Sequence, residues 1–316
     1  MVNTKYVPGV IQEAVTQSVC MRLMRREPNM STNIESRPVM NVFPEAYWVN
    51  TEAGDGGGVE PLEGLLETGL QGWTNATITA AKMGVVVPIA KDVIDDAASD
   101  GFDLWSEIKP RLAESIARKF DQAVLTGTSK PTVFPDDILT DCGTASTTLV
   151  SGSNSELVDL YDEILSPAGV FALCEGKGFR VNGIVADVSM MSEMRGVRSK
   201  DGVPLWTDGN GKDGPAYRLG GIPVDFPEND SLLSTSALMI VGDWKRAFYA
   251  WRKDIELSMS DTAMVTDATG LVRINAFQQD VVLLKAVCRI GWCCPVPADI
   301  KGRSTRYPFA ALLPAT

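Results

Sequence analysis

VNTEAGDGGGVEPLEGLLETG, residues 49–69, is the stretch on which the reading of this chain turns. It is rich in glycine and acid and contains no lysine or arginine. After Arg37 the next basic side chain is Lys82, and between them lie Glu45, Glu52, Asp55, Glu60, Glu63 and Glu67. Leu62, Leu65, Leu66, Leu70 and Trp73 supply apolar anchors. Upstream, VFPEAYWV (42–49) is strand-like; downstream, NATITAAKMGVVVPIAKDVI (75–94) alternates and then runs continuously apolar, as strands do. Residues 45–85 therefore read as a long hairpin, with arms of roughly 15 residues that reach about 50 Å if fully extended. A two-stranded hairpin has little stability alone, so this one needs a surface to lie on.

The rest of the chain has ample material for a core. Of 316 residues, 45% are hydrophobic and 22% charged, which implies one elaborate domain or two intertwined ones. A net charge of −11 argues against a nucleic-acid binder working by bulk electrostatics, since phosphate neutralisation needs clustered Lys and Arg. No apolar run is long enough to span a bilayer, and MVNTKYVPGV lacks a signal peptide's apolar core, so folding in the cytosol is expected. Cysteines at 20, 142, 174, 288, 293 and 294 are expected to be reduced and mostly buried. Histidine is absent, which removes the commonest general base, the commonest zinc ligand and every Ser-His or Cys-His nucleophile pair.

Residues 9–26, GVIQEAVTQSVCMRLMRR, place Ile11, Val15, Val19 and Leu23 four apart. Arg22, Arg25 and Arg26 gather at the end of that predicted amphipathic helix, where cations complement the dipole, and Pro28 stops it. The strongest helical signal is FDLWSEIKPRLAESIARKFDQAVLTG (102–127). Leu104, Ile108, Leu112, Ile116, Phe120 and Val124 recur at i+4, Asp100 or Asp103 caps the start, and Gly127 ends it. Pro110 either marks the true helix start or bends a long rod. From about 131 to 245, short helices and strands alternate as in a compact α/β unit. The last third is mainly strand, with a polar loop at 260–270.

Motifs for chemistry are weak. CEGKGF and GNGKDG contain GK but fail the phosphate-loop spacing, and turn glycines explain them. DGNGKDG places Lys212 where a calcium ligand is required. Asp95, Asp96 and Asp100 read as an acidic helix entry before they read as a metal site. No catalytic residue, cofactor-binding residue or metal ligand is assigned.

In order, these pieces resemble one family, the Hong Kong 97-type major capsid proteins of tailed bacteriophages. The resemblance rests on PEAYWVNTEAG followed by an extended loop, and on ITAAKMGVVVPIAKDVIDDA joined to the helix through ARKFDQAVLTGT. It continues with RLGGIPVDF and VGDWKRAFYAWRKDIELSMSD, and ends with NAFQQDVVLLKAVCRIGWCCPVPADIK. It implies an α+β fold with residues 1–40 as N-terminal arm, 41–85 as extended loop, and 86–130 as peripheral domain with a long spine helix. Residues 131–245 would form the axial domain, 246–300 the return strands of the peripheral domain, and 301–316 a C-terminal tail. The extended loop would lie across a neighbouring subunit through Glu52, Asp55, Glu60, Leu62, Glu63, Leu65, Leu66, Glu67, Leu70 and Trp73. Its acids would meet Arg22, Arg25 and Arg26 on a neighbour's arm, and Pro110 would bend the spine helix.

The implied function is a non-enzymatic subunit of an icosahedral shell of pentamers and hexamers, a virion capsid enclosing phage double-stranded DNA and assembled in the host cytoplasm. No membrane and no cofactor are implied. Some members weld the loop to a neighbour through a Lys–Asn bond with a glutamate as base. Here no lysine lies between 38 and 81 and DVVLLKAV offers no glutamate, so noncovalent contacts or a decoration (cement) protein are expected instead. A separate scaffolding protein and a portal are the other expected partners. An encapsulin-type compartment and a carboxylate-based soluble hydrolase are the alternatives.

Overall fold

The computed structural model describes residues 4–6, 17–42, 72–99, 104–152, 160–196, 207–208, 217–227, 229–267, 269–296 and 306–315. Along the chain come strand β1 (Thr4–Tyr6), helix α1 (Val19–Leu23), strand β2 (Arg25–Arg26), and the paired strands β3 (Ile34–Val42) and β4 (Gly72–Thr79). Strand β5 (Ala81–Ala90) follows at once, then helices α2 (Lys91–Ser99) and α3 (Leu104–Leu125). The middle holds α4 (Ile138–Thr144), β6 (Thr148–Val150), α5 (Leu160–Leu165), α6 (Val170–Gly176), β7 (Gly183–Ala186) and α7 (Met190–Gly196). Then come β8 (Thr207–Asp208), β9 (Tyr217–Leu219), β10 (Ile222–Asp225) and β11 (Met239–Gly242). The chain closes with β12 (Phe248–Ser260), β13 (Met264–Thr266), β14 (Val272–Asn275), β15 (Val281–Cys293) and β16 (Phe309–Leu313).

Two sheets organise these elements. In the first, β1, β12, β15 and β5 lie side by side, all antiparallel, with β2 added parallel to the start of β12. Residues alternate across its pleat: Lys82, Gly84, Val86 and Pro88 of β5 face outward, while Met83, Val85 and Val87 turn towards the core. That inner face packs on α3, whose buried stripe is Leu112, Ile116, Phe120 and Val124, the i+4 pattern read from sequence. Pro110 sits inside α3, not at its start. The helix ends at Gly127, whose φ of +69° and whose approach to Asp137 leave no room for a Cβ. Asp137 in turn caps α4, accepting from the Thr140 amide at 3.0 Å.

The second sheet runs β6-β16-β11-β7-β10-β9-β8. Its central strands are buried on both faces, between α6 on one side and the common core on the other. Trp244 joins the two sheets. Its indole nitrogen donates to the Gly183 carbonyl at 3.0 Å, and its ring meets Phe309 edge-on at 4.9 Å.

Three expectations are corrected. The predicted helix at 9–26 ends at Leu23 in the described residues, because Arg25 and Arg26 pair with Phe248 and Tyr249 as a strand. Asp95 and Asp96 lie within α2, a helix of their own, and are not the entry to α3. Residues 309–313 are not a tail: β16 inserts between β6 and β11, and Phe309 to Leu312 are fully buried. Apolar burial and ladder pairing on both edges outweigh the freedom of a terminus.

Candidate inter-subunit surface

The paired arms of the hairpin begin earlier than the sequence implied. β3 and β4 run antiparallel from Ile34↔Thr79 to Val42↔Gly72, and the chain enters β5 two residues after β4 ends. At this root, Ile78 is fully buried with Met30, Phe248 and Ala250. Gly291 of β15 makes the approach possible, since a Cβ there would stand 2.7 Å from both the Ile78 Cγ2 and the Thr79 carbonyl. Beyond the root the ribbon is open, with Val42 and Trp73 each about half exposed. A second two-stranded projection, β13–β14, carries Met264, Leu271, Val272 and, just after it, Phe277, which is 79% exposed. Single exposed apolar groups are ordinary, but groups set on thin projections mark surfaces awaiting a partner.

Of the loop residues chosen from sequence, only Trp73 is placed: it stands exposed on β4, beside Met40 of β3. Glu52, Asp55, Glu60, Leu62, Glu63, Leu65, Leu66, Glu67 and Leu70 lie outside the described residues. The three arm arginines do not form one patch. Arg22 pairs with Asp225 at 2.7 Å, tying α1 to the second sheet. Arg25 pairs with Glu27, which also holds Arg37 at the foot of the ribbon. Glu27 is buried and so uses both cations to offset its desolvation.

Sequence reasoning missed Asp121. This carboxylate is fully buried in α3 and accepts from the Ser18 hydroxyl at 2.5 Å, the Val19 amide at 3.0 Å and the Cys20 amide at 3.2 Å. It thus satisfies the free amides at the start of α1 from about a hundred residues away. Burial pushes it up to about 6, against those hydrogen bonds, which pull the other way. The available signal was its position four residues after Ala117, on the buried side of an otherwise apolar stripe.

Among the described residues no group of three or more His, Cys, Asp or Glu could hold a metal, and no helix is long and apolar enough to cross a membrane. The GK of CEGKGF falls in the turn after α6, where Gly178 has φ +86°. All six cysteines are free, four of them buried.

Comparison with known proteins agrees with this architecture. The phage capsid family matches residues 1–299. The major capsid protein of Staphylococcus phage 80alpha is 25% identical over 315 residues, covering 98% of this chain and 84% of that one. A solved structure from Microbacterium phage Oxtober96 superposes with a TM-score of 0.75 at 26% identity, over 94% of this chain and 91% of the other. One from Mycobacterium phage Adephagia gives 0.74 at 24% identity, over 95% and 90%, and so shares the fold. The two sheets, the long helix between them and the projecting ribbon make up the Hong Kong 97-type α+β capsid fold, and the chain belongs to the phage capsid family.

Proposed function

We propose that this chain is the major capsid subunit of a tailed phage, assembling as pentamers and hexamers into an icosahedral shell around double-stranded DNA. The observation that carries the reading is the β3–β4 ribbon, a thin projection anchored at its root and bearing the acidic, apolar segment 43–71 at its far end. Beyond its buried root such a ribbon has little stability of its own, and a neighbouring copy is what gives it a surface. The loop residues Glu52 to Trp73 are its contact set, residues 1–40 its arm, α3 its spine, and the second sheet with its helices the axial domain.

The subunit acts by binding and not by catalysis. Many modest interfaces allow errors to be corrected during growth, while their sum makes disassembly rare. The −11 net charge suits a container filled by a motor more than one condensed on its cargo. A separate scaffolding protein, a portal and a decoration protein complete the shell, which is built in the host cytoplasm. The test is negative-stain imaging of the expressed protein, alone and with its phage's scaffold. Closed shells are expected; a small soluble oligomer under every condition would sink the reading.

A further inference from the structure

Three separate segments turn cations towards one cavity beside the ribbon. Strand β2 brings Arg25, β3 brings Arg37, and the short turn Trp244–Arg246 ahead of β12 brings Lys245 and Arg246. The cavity holds about 230 Å³, with Phe248 and Pro295 among its apolar walls. Among the described residues, every polar side chain that lines it is a cation; no carboxylate, amide or hydroxyl does. The cations are held from behind. The Arg25 amide donates to the Ala247 carbonyl at 3.1 Å, and its guanidinium stands 5.8 Å from the centre of the Phe248 ring. Trp244 is buried and bonded to Asn182 and Gly183, which fixes the turn that carries Lys245 and Arg246.

The surrounding carboxylates do not use up this donor set. Buried Glu27 pairs with both Arg25 and Arg37, Glu35 stands 3.7 Å from Arg37, and Asp243 stands 3.4 Å from Arg246. Lys245 is exposed, and among the described residues no carboxylate pairs with it. Four cations thus face three carboxylates, a local excess of positive charge on a chain of net charge −11. Each guanidinium also has five N–H donors in a fixed fork, more than these pairs engage. We infer that this cavity is a binding site for a phosphate group, supplied by the backbone of enclosed DNA. Guanidinium forks match phosphate oxygens two at a time, and the Lys245 ammonium adds a point charge. The apolar walls suit the deoxyribose beside a backbone phosphate, which a free phosphate lacks. The DNA source rests on the shell reading; the phosphate site itself does not. A small site of this kind, repeated over a wall, holds DNA lightly without condensing it.

The test is fluorescence anisotropy of a short labelled DNA duplex with the full-length, unassembled subunit. Saturable, sequence-independent binding is expected, and contact with about two phosphates predicts a fall of about tenfold between 50 and 200 mM salt. Lys245→Glu/Arg246→Glu should weaken binding at least tenfold. Lys82→Glu/Arg289→Glu, an equal charge change on the exposed face of the first sheet, should weaken it less than threefold. Lys245→Gln/Arg246→Gln, expected to weaken it severalfold, keeps the test valid should the charge reversal lower the melting temperature. Calorimetry with inorganic pyrophosphate at fixed ionic strength separates the sources. Pyrophosphate binding without duplex binding retains the phosphate site and assigns it to free phosphate; duplex binding lost with the Lys245 and Arg246 variants assigns it to DNA. Duplex binding that both reversals weaken alike, or binding of neither ligand, overturns the inference. Negative-stain shells from the same wild-type protein decide the subunit reading separately, so shells without phosphate binding sink this site alone.

Discussion

The hydroxyl of Ser18 donates to Asp121 across 2.5 Å, fastening the start of α1 to the middle of α3 with a carboxylate that no cation among the described residues neutralises. Because burial raises the folded carboxyl to about 6 from 3.8, the folded state holds the proton more tightly than the unfolded one. Its stabilising contribution is full below the unfolded value and is lost as pH rises through about 6. Thermal melts should therefore show the wild-type protein gaining up to about 3 kcal/mol on acidification from neutral pH towards pH 4, over and above Asp121→Asn. Asp141 and Asp225 are raised in the same direction by burial, but they are common to both proteins and cancel in the difference. Identical pH profiles would mean that Asp121 does not titrate in this window.

Gly291→Ala tests the root of the ribbon. The added methyl meets Ile78 and the Thr79 backbone at 2.7 Å, and backbone cannot yield as a side-chain tip does. A loss of about 1–3 kcal/mol is expected, from overpacking at a buried strand crossing. Shell yield should fall further than melting temperature, because the ribbon's direction changes with its root.

Trp73→Ser should separate folding from assembly. The indole is 57% exposed on β4, so its removal should shift subunit stability by no more than about 0.5 kcal/mol. The protein concentration needed for shells, followed by light scattering, should rise severalfold. Unchanged assembly would remove Trp73 from the contact set.

Pro110 sits in the seventh position of α3 and cannot donate to the carbonyl one turn back. Pro110→Ala restores that donor and is expected to stiffen the helix, altering the curvature of precursor shells and slowing their expansion. Normal curvature and expansion in electron micrographs would show that the proline has no such role.

The thiols should be inert in the native protein. Burial pushes Cys142, Cys174 and Cys288 up to about 12 and Cys293 up to about 11, so almost no thiolate exists near neutral pH. A thiol-reactive dye should label the folded chain negligibly and all six cysteines after denaturation. Fast labelling of the native protein would indicate an open core.

What was legible in the sequence was what local periodicity encodes. The i+4 stripe from Ile108 to Val124 specifies α3 because a helix returns to the same face every four residues or so. The alternating and apolar runs at 75–90 and 281–293 specify strands, whereas Lys91–Ile94, read with the first run, open helix α2. Pairing partners are not local, and only the tertiary structure decided them. Arg25 and Arg26 continue a helical pattern on paper but become a strand because the edge of β12 offers their backbone a ladder. Phe309–Leu313, apolar and close to the terminus, becomes a central strand because β6 and β11 leave a slot between them. Asp121 looks like a flaw in an apolar stripe until the amides of Val19 and Cys20 come to meet it. A residue's neighbours in sequence set which element it can join, while burial and hydrogen bonding among distant segments set which element it joins.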